Sequence, residues 1–167
     1  MNVETDEPET IWHLEMLHPE ELRKKTLPPE AQLVMLEIPL PALSHFFYHE
    51  VGKLWQWTNR LSWTEEQWQS WVEREELQTW MLLFNGTPAG YFELEAQTEA
   101  VELAYFGLLP QFVGQGLGGG LLSSAIEKAW EMETKRVWVH TCSLDHPHAL
   151  KNYRARGFRI YQETIAS

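Results

Sequence analysis

The sequence predicts an α/β domain (α+β in some schemes) built on a mixed, mostly antiparallel central sheet flanked by helices. Three observations lead there. The middle of the chain alternates with period two around an Asn85-Gly86 step, the signature of an antiparallel hairpin. Flanking stretches have helical spacing instead, as in Leu43, Phe46, Phe47, Val51 and Leu54. Between a strand-like run ending at Leu109 and a helix-like run from Leu121 lies a turn with glycine at five of the seven positions 114–120.

Taken in order, Met1–Thr10 reads as a loose polar tail, and Ile11–Leu17 as a short edge strand or a segment across the surface. Pro28-Pro29 closes this extension, which divides the chain into residues 1–30, packed on or beside the domain, and the domain proper, 31–167. Leu33–Leu36 is a strand, broken by Pro39 and Pro41. After the first helix, Thr64 and Gln67 are spaced for a capping box on a second, whose apolar side carries Trp68, Trp71 and Val72. Thr79–Phe84, Ala89–Leu94 and Glu99–Leu109 form a meander. Beyond the glycine turn and its helix, Leu121–Met132, come a strand over Arg136–Thr141, a helix from His146 capped by Asp145 and stopped at Gly157, and a last strand, Phe158–Thr164.

Composition narrows the function. With 44% hydrophobic and 22% charged residues, the 167-residue chain suits one folded domain with a sizeable core. The acidic Met1–Thr10 is unlike a signal peptide and no apolar run reaches bilayer length, so neither export nor a membrane partner is expected. A lone Cys142 within a strand excludes an internal disulfide and fits the reducing cytoplasm as a small apolar residue. The net charge of −11 argues against nucleic acid and favours a cationic small molecule. His140, His146 and His148 lie near Cys142 and Asp145, but no zinc-type spacing links them, so no metal is expected.

The glycines carry the chemistry. A helix-interior glycine costs roughly 1 kcal/mol against alanine, so a cluster at a helix start needs a compensating reason. Bare backbone N–H groups at a strand-to-helix turn suit a phosphate. No lysine followed by serine or threonine completes a P-loop here. A dinucleotide fingerprint belongs after an early strand, whereas this turn follows a meander.

Val113-Gly114-Gln115-Gly116-Leu117-Gly118 resembles the acetyl-CoA signature of the GCN5-related N-acetyltransferase (GNAT) superfamily, with Val113 where arginine or glutamine is usual. Ala149-Leu150-Lys151-Asn152-Tyr153, followed by Gly157-Phe158, looks like the late helix of the same superfamily, with His146 where asparagine is common. The resemblance implies a GNAT-like sheet and acetyl-CoA as cosubstrate. It implies that Gly114, Gln115, Gly116, Leu117, Gly118 and Gly119 bind the pyrophosphate, and that the strand ending in Leu108 and Leu109 meets the pantetheine arm. Tyr153 falls on the family tyrosine that protonates the departing thiolate and adjoins the cosubstrate.

For the acceptor side, Glu102 alternates with Val101 and Leu103 and can approach Glu93 or Glu95 across a hairpin, which makes it the candidate base. Trp55 and Trp57 of the connection between the early helices are candidates for holding a cationic acceptor. The expected activity is direct acetyl transfer to a primary amine of a small molecule, by a monomer or homodimer. A non-catalytic acyl-CoA-binding or regulatory module and a protein N-acetyltransferase are the alternatives.

Overall fold

A computed structural model of the chain describes residues 8–55 and 57–165. Most of the expected polar tail, residues 1–7, lies outside them. Seven strands form one sheet: β1 (Thr10–Met16), β2 (Ala31–Met35), β3 (Leu77–Phe84), β4 (Thr87–Gln97), β5 (Ala100–Leu108), β6 (Val137–Cys142) and β7 (Arg159–Ile165). Their order across the sheet is β2-β3-β4-β5-β6-β1-β7, antiparallel everywhere except β5 against β6. Helices α1 (Pro41–Gly52) and α2 (Glu65–Val72) lie on one face, α3 (Gly118–Glu131) and α4 (Ala149–Ala155) on the other. The expected mixed, mostly antiparallel sheet is therefore the fold.

Local signals explain most of the elements. Asn85 (φ 50°) and Gly86 (φ 78°) both take the left-handed conformation that a two-residue hairpin turn requires. The capping box of α2 forms in full: the Thr64 hydroxyl accepts from the Gln67 N–H (3.2 Å), and the Gln67 side chain accepts from the Thr64 N–H (2.8 Å). Pro41 opens α1 at a position where its missing N–H costs no bond. Because β4 is central, its segment from Ala89 to Leu94 is buried on both faces. Phe92 and Leu94 join the larger core, under α3, with Leu14, Leu103, Leu121 and Ile126. Tyr91 joins the smaller core, under α1, with Phe47 and Val51.

Four expectations change. The first strand is interior, not an edge: β6 pairs along one side of β1 and β7 along the other, and Leu14 and Met16 are fully buried. On α1, Phe47 and Val51 set the buried stripe, one turn apart, which leaves Phe46 half-exposed; Leu54 falls beyond the helix end, in solvent. Helix α3 starts at Gly118, so its first turn is glycine. Helix α4 starts at Ala149, since Pro147 intervenes; Asp145 takes the His146 N–H (2.8 Å) without capping the helix.

One buried ion pair anchors the α1–α2 connection to the sheet. Both Arg60 nitrogens reach the carboxylate of Glu93 on β4, at 2.9 and 3.1 Å, with both side chains almost wholly buried. The Trp71 indole N–H adds a bond to Glu93 (3.1 Å), and the Arg60 N–H donates to the Tyr48 hydroxyl (3.0 Å). Trp71 and Tyr105 lie 4.3 Å from the guanidinium and Trp63 4.7 Å, so the cation sits among aromatic rings. Removing one member strands the other charge away from water. Glu93→Ala is expected to destabilise the fold by about 3–5 kcal/mol in urea denaturation, and the double variant R60M/E93L to recover most of it. A single-variant loss under about 1 kcal/mol would mean that water reaches the pair.

Candidate active site

The site begins where two strands separate. Strands β5 and β6 pair only at Val101–Val137 and Glu102–Trp138. Just beyond, the β4–β5 register slips so that Ala104 has no partner, a bulge that bends β5 away. The Val101 N–H still reaches towards β6, bonding the Arg136 carbonyl (2.9 Å), whereas the Leu109 N–H turns towards β4 and the Ala89 carbonyl (2.8 Å). Counting back from Leu109 by strand alternation, the backbone groups of Leu108 and Phe106 face the opening. Gly107 lets α1 lie against this segment, because a Cβ there would collide with Val51.

Two clefts flank the opening. The larger, about 780 Å³, runs over Phe106, Gly107 and Leu108 between the glycine turn and α4. The smaller, about 590 Å³, is bordered by Glu9, Glu102, Tyr105 and His140. Trp55, Trp57, Phe106, Asp145 and Tyr153 line both, so the clefts meet at these residues.

At the far end of the larger cleft, Gly114 (φ 82°) and Gly116 (φ 79°) hold the turn in the left-handed conformation. No atom crowds a Cβ position at either, so the requirement is conformational. The Gln115 side chain folds back to the Gln111 carbonyl (3.0 Å). No side chain caps α3 and no acidic residue occupies its first turn, which leaves its N–H groups and positive end to the cleft. Gly114, Gly116, Leu117, Gly118 and Gly119 line the cleft, as does Leu108; Gln115 and Leu109 do not.

Tyr153, on α4, packs against Phe106 and Phe158 and is 4% exposed. Burial, reinforced by the Asp145 charge, pushes its phenol far above the ordinary value, so it is protonated at neutral pH. Asp145 is held by the Thr141 hydroxyl (2.9 Å), the His146 N–H (2.8 Å) and the Trp57 indole N–H (3.4 Å), which ties the α1–α2 connection to the end of β6.

Glu102 faces the smaller cleft. It lies directly across from Glu95, accepts from the Gln97 amide (3.2 Å), and has His140 Nδ1 at 3.8 Å. Burial raises its carboxyl above the usual range, with the Glu95 and Glu93 charges adding to the effect and Gln97 and Arg60 opposing it. Glu93 is committed to Arg60, and Glu95 to Arg74 at 2.7 Å, so of these three carboxylates Glu102 alone has no lysine or arginine partner among the described residues. Cys142 is no rival nucleophile: burial pushes its thiol up to about 11. No group of three or more His, Cys, Asp or Glu among the described residues is placed to hold a metal.

Sequence reading missed Asn152, whose amide ties α4 to the Gly118 carbonyl (3.3 Å), and Lys25 and Arg156 at the glycine end of the larger cleft. Lys25 carried no local signal, since only the folded extension brings it there.

The acetyltransferase (GNAT) family model matches residues 42–158, and the chain belongs to that family. No curated protein matches significantly. Solved structures share the fold at low identity. One is a GCN5-related N-acetyltransferase from Sphaerobacter thermophilus (14% identity, TM-score 0.76, 95% of this chain and 50% of that one). Another is an aminoglycoside acetyltransferase from an uncultured soil metagenomic sample, in complex with sisomicin (13%, 0.62, 76% and 87%). A third is the ribosomal-protein-S18-alanine N-acetyltransferase of Escherichia coli (19%, 0.61, 77% and 77%). The chain spans about half the length of the first of these. No helix among the described residues is long and apolar enough to cross a membrane.

Proposed function

We propose that this chain transfers the acetyl group of acetyl-CoA directly to a primary amine of a small cationic molecule. The observation that carries the reading is the meeting of two clefts of opposite character at Tyr153. One ends on glycine-turn amides and a helix N-terminus, which suit a pyrophosphate. The other is bordered by Glu9, Glu102 and Asp145, and its one lysine or arginine, Arg60, is already paired with Glu93. Such a cleft attracts a cation, and the Trp55 and Trp57 rings where it meets the larger one add apolar and cation–π contact.

Acetyl-CoA supplies an activated thioester. Glu102 takes the proton of the acceptor ammonium, directly or through water, which frees the nitrogen lone pair for attack on the carbonyl carbon. The cleft-facing N–H groups of Phe106 and Leu108 are the donors available to the carbonyl oxygen as it gains charge. As the new C–N bond forms and the C–S bond breaks, Tyr153 gives its phenolic proton to the sulfur and regains one from solvent; Glu102, having passed its first proton to solvent, takes the proton that the acylated nitrogen must lose. The raised carboxyl of Glu102 brings its proton affinity nearer to that of an amine.

The test of the reading is an acceptor panel with acetyl-CoA, followed by release of free CoA. Small polyamines and aminosugars are expected to stimulate release more than peptide N-termini or lysine peptides do. A preference for peptides would move the chain to protein acetylation, and CoA binding without any productive amine would make it a binding module. With an acceptor in hand, Tyr153→Phe should lower kcat by roughly 10²-fold and leave acetyl-CoA affinity within about threefold. Wild-type turnover under rate-limiting chemistry would remove Tyr153 from the donor role. The pH dependence tests Glu102: kcat/KM should rise with pH as the carboxyl ionises, with a midpoint above the ordinary carboxylate value of 4.5. Glu102→Gln should be slower by about 10²-fold and should lose that limb.

A further inference from the structure

We propose that Lys25 and Arg156 form a binding site for a terminal phosphate monoester, by which the N-terminal segment selects coenzyme A over its dephospho form. The inference rests on acetyl-CoA as the cosubstrate and adds side-chain cations beside the glycine turn, supplied in part by a segment that precedes the family match.

The charges are placed against the protein's own bias. The chain carries a net charge of −11, and ion pairs among the described residues take up eight of its 13 lysines and arginines. Lys25, Lys151 and Arg156 are among the five left over, and all three line the larger cleft. Lys25 and Arg156 converge on one point: a Cβ at Gly119 would strike the Arg156 guanidinium and would lie 2.7 Å from Lys25 Cδ. Two cations side by side repel each other, and in an acidic protein carboxylates were abundant to neutralise them. Among the described residues none does so, and Arg156 Nε is buried without a hydrogen-bond partner there. An anion entering the cleft that both side chains line would therefore meet two cations that no described carboxylate neutralises.

The segment that brings Lys25 is fastened at each step. The Arg23 N–H donates to the Arg156 carbonyl (2.9 Å), and the Lys25 N–H to the Ser123 hydroxyl on α3 (2.9 Å). Leu27 then packs onto Gly120. The strap thus runs from the end of α4 across the start of α3, beside the amides of the first turn. A pyrophosphate diester on those amides leaves Lys25 and Arg156 facing the adenosine end of the same ligand, where coenzyme A carries a dianionic monoester. Arg156 offers a fork of donors and Lys25 a point charge, a combination suited to that group.

Dephospho-CoA keeps the pyrophosphate and lacks only the monoester, so a comparison of the two ligands separates the subsites. By calorimetry, the wild-type chain should bind CoA at least tenfold more tightly than dephospho-CoA. Lys25→Gln and Arg156→Gln should each shrink that ratio several-fold, with dephospho-CoA affinity unchanged within twofold. Lys25 is exposed, so its variant retains the fold and keeps the test valid if the Arg156 variant proves unstable. Equal wild-type affinity for the two ligands overturns this assignment alone, as does an equal loss of both ligands in Lys25→Gln. A wild-type chain that binds neither overturns the acetyl-CoA reading together with it.

Discussion

The parting of β5 from β6 is the constraint on which the rest of the site depends. Interior strands satisfy their backbone groups with neighbours, and β5 abandons that arrangement after two residue pairs in the centre of a seven-stranded sheet. The bulge at Ala104 and the bare Cα of Gly107 let β5 bend away without losing β4 on its other side. What remains is a floor of backbone donors and acceptors that water or a ligand must satisfy. One opening also produces two clefts, so the residues where they meet, Tyr153 and Asp145, stand between whatever enters from either side.

An open sheet needs a roof held at a fixed height, and the α1–α2 connection provides it. Its cation is held from three sides: the rings of Trp63 in the connection, Trp71 on α2 and Tyr105 on β5 surround Arg60, and Glu93 neutralises it. Trp55 and Trp57 line both clefts, with Trp57 stacked edge-on against Tyr105 (4.8 Å between centroids) and bonded to Asp145. The roof is therefore pinned at two places, to β4 through Arg60 and to the end of β6 through Trp57.

Features written in consecutive residues were readable in advance. Asn85-Gly86 announced its hairpin, Thr64 and Gln67 their capping box, and the glycine cluster a tight turn between a strand and a helix. Alternation left Glu102 able to approach Glu93 or Glu95, and the register places it across from Glu95. Features that depend on which distant segments meet were not readable. Glu93 and Glu95 looked alike in sequence, yet one is buried under Arg60 and the other lies at the rim with Arg74. Pro147 delays the helix expected from His146, and Phe46 stays half-exposed because a helical stripe is narrower than its apolar residues suggest. The strand over Thr10–Met16 has the composition of an edge; only pairing on both sides makes it interior.

That interior strand has a consequence for how the chain comes together. Strand β1 emerges first in synthesis, yet its two neighbours begin at Val137 and Arg159, nearly the whole chain later. Until they arrive, both of its edges are bare, and Leu14 and Met16 have none of their β6 and β7 neighbours to shelter them. The β3–β4–β5 meander can close as it is made, from sequence-local contacts. The β6–β1–β7 half has to wait, and its closure draws strands far apart in the sequence together in one late, entropically costly step. A nascent chain halted before Val137 would carry a finished half-sheet and an orphan strand, the species on which chaperones and aggregation compete.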